Sequence, residues 1–389
     1  MKPEYLKINF QYIKSIRFKK ALLILVYNFF AFLSFAQLDN KFLLNPIYNN
    51  ISDSGKIGFC IFNNNYMRNT EYYNKIEVGR TLFGYQLMPS LFYQANSHIR
   101  LQGGLFIRKD FGGNEPYTRV KPTYTLTMQN HNWRLNFGTL EGTLNHRMVE
   151  PMLDIASSIE NPIENGFQLK HESKKIFFDT WIHWEKFIER GANEKELLTA
   201  GLNYQPKLIS TQTGYTFTPI TQGMISHRGG QIDQDTLTSF YVIANYCVGF
   251  RFMKQNEKAY IKELRLEPYL LFYHQNDGTI YPYKGGSAIY LNASAKTKNI
   301  SLMLSYWSGN QFIAPRGTPI YSSVSFDVPG YTETDRQLLF VRIFYEKPVY
   351  EKLNLSLRAE PFYDLNNSTF DYSFSFYLTY AGSWNFGKK

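Results

Sequence analysis

The chain has 389 residues, of which 17% are aromatic, dominated by 30 Tyr and 32 Phe, and only 19% charged. That balance departs from a soluble domain, where about 25% charge is usual, and the absence of any run of about 20 apolar residues after the first 36 excludes a helical membrane bundle. The formal net charge is +10, but residues 1–36 hold six Lys/Arg and one Glu, and no basic run, zinc spacing or helix-turn-helix pattern follows, so nucleic acid is excluded as a partner.

The first element is a targeting segment. Lys14, Arg17, Lys19 and Lys20 precede the apolar run Ala21–Val26, which continues through Phe29–Leu33, and Ser34-Phe35-Ala36 places small residues where a signal peptidase needs them. Residues 1–36 are therefore expected to be a signal peptide cleaved before Gln37, with an uncleaved anchor as the alternative. No Cys follows that site, and Cys60 and Cys247 are too few for a disulfide framework.

From there the chain is a series of period-2 segments bounded by turn residues. They fall at about 55–64, 80–93, 98–108, 117–128, 132–140, 166–172, 175–186, 196–204, 210–218, 238–253, 260–274, 287–297, 299–308, 336–346, 352–363 and 369–386. Links after even segments are short and most links after odd ones are long, including 65–79, 141–165, 219–237 and 309–335. Long external loops opposite short periplasmic turns are the habit of membrane barrels.

Side chains sort by parity. Leu353, Leu355 and Leu357 leave Asn354, Ser356 and Arg358 opposite; Leu339, Val341 and Ile343 leave Arg342 opposite; Leu264 and Leu266 leave Arg265 and Glu267 opposite. The inward set gathers Arg80, Arg100, Arg108, Arg119, Lys121, Arg134, Arg251, Arg265, Arg342 and Arg358, against Asp179, Glu185, Glu267, Glu360 and Asp371. A basic wall of this kind selects anionic solutes if it lines water; the alternative is that the arginines pair with the acids and brace the wall. A soluble sandwich or jelly roll also alternates, but its strands run to five or six residues, and several here reach ten or more.

The final segment, Phe370 to Phe386, carries an aromatic or apolar residue at nearly every second position. It resembles the closing strand of Gram-negative outer-membrane β-barrels of the porin-like class. That resemblance implies an all-β, antiparallel transmembrane barrel of about sixteen strands, fourteen to eighteen being compatible, over residues 37–389. It also implies a home in the outer membrane among lipid and lipopolysaccharide, reached through the barrel-assembly machinery. Phe42-Leu43-Leu44-Asn45-Pro46-Ile47-Tyr48 and Gly55-Lys56-Ile57-Gly58 are similar to the start of PorP/SprF-like barrels of type IX secretion.

Two stretches are candidates for chemistry. In link 141–165, Pro151 suits a first helical position and Met152, Ile155, Ala156 and Ile159 have helical spacing, so a short amphipathic helix is expected. Folded inward, that loop would make His146, Arg147 and Glu150 constriction residues; folded outward, it would pack on the rim. In 177–190, Trp181 and Trp184 flank His183 beside acids, a surface on which a sugar ring could stack, or else an interfacial girdle. The seven histidines are scattered, with no G-x-S-x-G and no H-E-x-x-H, so the sequence indicates no catalytic residues, no metal and no cofactor. The expected function is a channel, not an enzyme, passing a small polar solute, anionic or carbohydrate. A non-conducting scaffold or export component is the runner-up, and a barrel-bound hydrolase the third reading. Oligomeric state is not legible.

Overall fold

The computed structural model describes residues 40, 43–44, 54–230, 232–277 and 280–386. The expected signal peptide, and most of the stretch similar to PorP/SprF-like proteins, lie outside them.

Seventeen strands form one antiparallel sheet: β1 Lys56–Glu71, β2 Thr81–Gln94, β3 Ile99–Asp110, β4 Arg119–Asn130, β5 Trp133–Thr139, β6 Asn165–Glu172, β7 Ile176–Lys186, β8 Glu196–Pro206, β9 Ile209–Ser210, β10 Tyr215–Gly229, β11 Tyr241–Gln255, β12 Glu263–Asp277, β13 Gly285–Lys296, β14 Ile300–Asn310, β15 Asp335–Tyr350, β16 Leu353–Asp364 and β17 Thr369–Phe386. Each pairs with its neighbour in the chain, and β1 pairs with both β2 and β17, which closes the sheet on itself. β9 is a two-residue strand beside the start of β10, and above it β8 pairs with β10 directly. Sixteen full strands therefore encircle the barrel. All sixteen expected segments are present.

Two boundaries differ from expectation. β1 runs seven residues past the expected 64, and β10 reaches Gly229 where a loop from 219 was expected. Asn63-Asn64-Asn65 reads as a turn, but Asn64 is buried on the inner face and donates to Gln86 Oε1 at 3.1 Å, while Asn63 and Asn65 bond backbone carbonyls of the neighbouring strands. A polar interior lets turn-forming residues sit mid-strand.

The outer face is apolar: Tyr246, Val248, Leu270, Phe272, Ile343 and Leu357 are exposed. The inner face is divided, which the sequence sort did not foresee. Over β1 to β8 it is polar, with Gln86, Asn136, Gln168, Asp179 and Asn203 buried. Over β10 to β16 it carries a packed apolar core, with Met224, Ile243, Tyr269, Leu271, Trp307, Leu338 and Phe340 buried. The loop after β14 folds down onto that core and inserts Phe312, Ile313 and Tyr321. Each such side chain, buried on both sides, contributes about 1.5–3 kcal/mol.

Candidate functional site

The loop between β5 and β6, residues 140–164, also folds inward. It carries a 3-10 turn at Thr143–His146 and one helical turn at Ser157–Glu160, in place of the expected amphipathic helix from Pro151. Its backbone is committed elsewhere: the Glu150 carbonyl accepts from Thr318 N–H at 3.0 Å, and Asp154 N–H donates to the Arg316 carbonyl at 2.8 Å. The two inward loops are thus stitched to each other at mid-height of the barrel.

His146, at the end of the 3-10 turn, is completely buried. Its Nδ1 lies 2.8 Å from Asp179 and its Nε2 2.8 Å from Glu164, and its ring stacks on Trp181 with centroids 3.5 Å apart. Two carboxylate acceptors require both nitrogens to donate, so the ring is an imidazolium. Burial works against that charge, but Glu164 and Asp179 outweigh it and push the pKa up to about 9. Glu164 is held down at about 2, its burial outweighed by His146 and by the Thr143 N–H it accepts. Gln168 donates to the other Asp179 oxygen at 2.9 Å. Every ligand of this ring is protein, so His146 holds the loop and has no vacancy for a solute.

The other expected site residues are placed as follows. Glu150 takes Arg342 at 2.6 Å and the Tyr321 hydroxyl at 3.1 Å, and Arg342 also bonds Glu360 at 3.0 Å. Arg147 pairs with Glu172 and lies over the Phe177 ring. Arg134 pairs with Glu141, which also receives Lys170 at 2.9 Å; Arg251 pairs with Glu267, and Arg265 with Glu263. Arg358 sits over Phe344, 3.5 Å from Glu346, and Arg100 lies over Phe92. These arginines face inward as parity demands, and most are bracing the wall against an acid. Below the loops, at the end with the short turns, a vestibule of about 440 Å³ is lined by Lys175, Lys207, Arg251, Arg265 and Glu263 among others. Trp184 does not share a surface with Trp181: one residue of parity separates His183 from Trp184, so Trp184 is on the lipid face while Trp181 is buried beneath His146. The paired-tryptophan platform does not form.

What the sequence did not reveal is a notch in the wall. β5 has seven residues and β6 eight, whereas a tilted strand needs about 9–11 to cross a bilayer. Both are joined to their outer neighbours by tight turns, at 131–132 and 173–175, so their missing residues are at the opposite, long-loop end. β4 pairs with β5 only from Thr125, leaving Arg119–Tyr124 beyond it, and β7 pairs with β6 only up to His183, leaving Trp184–Lys186 beyond it. With three strand spacings of about 4.8 Å between β4 and β7, the opening is roughly 14 Å wide. Its floor is a cross-strand glycine pair, Gly138 and Gly166, at φ +97° and +154°.

The inner side of the notch carries Arg119 and Lys121 on β4 and Glu185 on β7, with His183 level with its floor, opposite Gly166. Val120, Tyr124, Ile182 and Trp184 are exposed on its lipid-facing flanks. His183 lies opposite Thr199 of β8, which lies opposite Ser226 of β10. Thr199 donates to Glu185, and Glu185 pairs with Arg316 from the second inward loop. His183 itself has no hydrogen-bond partner among the described residues, and it lies within electrostatic reach of Glu164, Arg316 and Lys121. An unengaged neutral imidazole can accept a proton; of the charged groups near it, Glu164 alone favours the resulting charge, against Arg316, His146 and Lys121.

A closed antiparallel barrel with an apolar exterior defines the class: this is a barrel of the outer-membrane type. OprD from Pseudomonas aeruginosa has the same fold, at 9% identity and a TM-score of 0.50 over 90% of this chain and 98% of that one. OmpT of Vibrio cholerae is also similar, at 10% identity and a TM-score of 0.49 over 85% of this chain and 100% of that one. At such identities the likeness is one of fold alone. The lipid A 3′-O-deacylase-type family model matches residues 49–389, and the chain belongs to that family. No curated protein matches it. Because the family is one of enzymes, the expectation of a non-enzyme is overturned; histidines scattered in sequence were read as incompatible with a site, but the site residues of a barrel come from different strands, and sequence spacing is no guide to them.

Proposed function

We propose that the chain is an outer-membrane hydrolase that removes an ester-linked acyl chain from the 3′ position of lipid A, and that the lipid reaches the site sideways through the notch between β4 and β7. The observation that carries this reading is the coincidence of a wall opening, which exposes inner-face residues to the outer leaflet, with an unengaged histidine at its floor. The apolar flanks receive acyl chains, and the inner rim receives the polar ester. His183 takes a proton from a water molecule as that water attacks the ester carbonyl carbon. The bond from that carbon to the sugar oxygen then breaks, and the proton passes from His183 to the departing oxygen, giving a fatty acid and a free 3′ hydroxyl. Glu164 balances the transient imidazolium, and the Arg316 charge favours the oxyanion. Thr199 is already engaged with Glu185, which suits it to fixing that carboxylate rather than attacking.

The test is mass spectrometry of lipid A incubated with the purified protein. Loss of one acyl chain is expected, and His183→Gln should slow it by about 10²–10⁴-fold while leaving the folded barrel's heat-modifiable migration intact. Unaltered lipid with the parent protein would sink the hydrolase reading. Full activity in His183→Gln would move the catalytic residue elsewhere.

A further inference from the structure

Arg119 and Lys121 stand two residues apart on the inner face of β4, beyond the row that joins Thr125, Gly138, Gly166 and His183, with Lys121 within electrostatic reach of His183. Their cationic neighbours are matched: Arg80 pairs with Glu160 at 2.6 Å, and Arg108 with Asp110 at 2.8 Å. Arg119 has no carboxylate partner among the described residues. It donates to the Glu160 carbonyl at 3.2 Å and to the Asn161 side-chain oxygen, both through Nη1, which leaves the Nε–Nη2 edge of the guanidinium unused by the protein. Lys121, half-buried, has neither an ion pair nor a hydrogen bond among the described residues. Residues two apart on a strand are about 7 Å apart, so the two positive groups repel across a recess where water screens them incompletely. An anion between them would relieve that repulsion, and a guanidinium edge beside an ammonium suits a phosphate, the first binding in bidentate fashion and the second as a point charge.

We propose that Arg119 and Lys121 form a subsite for a phosphate monoester on the sugar headgroup of the lipid, anchoring it across the notch so that the acyl ester faces His183. This rests on the function proposed above and names the feature of the substrate that the notch recognises. Arg119 is also tied to Glu160 and Asn161 of the inward loop, so phosphate binding and loop position share one side chain.

The experiment measures binding, not turnover. Purified protein is titrated with nanodiscs containing phosphorylated lipid A and with nanodiscs containing the same lipid after phosphatase treatment. The parent is expected to prefer the phosphorylated lipid by at least about tenfold, a difference near 1.4 kcal/mol. Arg119→Gln with Lys121→Gln should reduce that preference to about twofold or less, and Lys121→Met, at a side chain that contacts no partner, gives an intermediate value without disturbing the loop. No preference in the parent, or full preference retained in both variants, would overturn the proposal. Inorganic phosphate is the second arm: weak competition is expected, and saturation by phosphate alone with no displacement by lipid would assign the site to a free anion and overturn the headgroup assignment. Phosphate-dependent lipid binding without acyl loss would leave the subsite standing and remove the hydrolase reading, so the two failures are distinguishable.

Discussion

At the scale of single residues, His146 shows how a titratable group can serve structure alone. Its pKa is raised above its unfolded value, so the stability it contributes is complete below about pH 6.5 and is lost as pH rises through about 9. Glu164 has the opposite sign: its contribution is complete above its unfolded value of 4.5 and fades as pH falls toward 2. Between these limits the inward loop is locked. A protonated imidazole stacked on an indole quenches its fluorescence, so Trp181 emission should rise with pH, with its midpoint at about 9. Trp181→Phe provides the baseline, and the absence of a Trp181-dependent transition around that midpoint would contradict the imidazolium assignment. The sequence placed His146 in the loop and Asp179 and Trp181 on one inner face, but it could not bring them together. Glu164 went unnoticed because it lies at the return of the loop, outside any periodic segment.

At the scale of elements, the strands were legible because an apolar exterior imposes strict alternation on every one of them. Their ends were less so: Asn64 and Pro219 look like turn residues, but Asn64 bonds Gln86 on the polar inner face, and Pro219 lies between the β9 and β8 pairings of β10, where that side of the strand has no partner. The notch was invisible for a different reason. A strand cut to seven residues has the same period as one of sixteen, and the deficit matters only against its neighbours. The glycine pair beneath the notch is what allows the chain to leave the sheet there. At Gly166, φ is +154° and a Cβ would lie 2.0 Å from the Ile182 carbonyl oxygen. Gly166→Val should therefore cost at least about 1–3 kcal/mol from backbone strain alone, read as a lower urea midpoint for unfolding in detergent micelles. An unchanged midpoint would mean that the chain can turn inward without a glycine.

At the scale of the whole molecule, the inside of the barrel is more like a protein core than a channel. Phe312, Ile313, Val149 and Met152 are fully buried at mid-height, and Arg342, expected to line a pore, is clamped between Glu150 and Glu360. The purified protein should accordingly give no stable current in a planar bilayer, whereas replacing 143–160 with a short Gly-Ser linker should open one. A large steady conductance from the parent would show that the loops do not seal the lumen. Sequence parity assigns the arginines to the inner face, yet parity reports only which face a residue is on, not whether water or protein lies beyond it. The seam between β1 and β17 has a consequence of its own. Residues more than 300 positions apart, such as Ile57 and Phe386, must be brought into register along fifteen paired positions, and closing so long a span is entropically among the last events of folding. Until it occurs, two long strands present unpaired backbone edges. Assembly in the membrane must therefore shelter β1 while the rest of the sheet accumulates, and the rate of its completion should depend on whatever holds that first edge open.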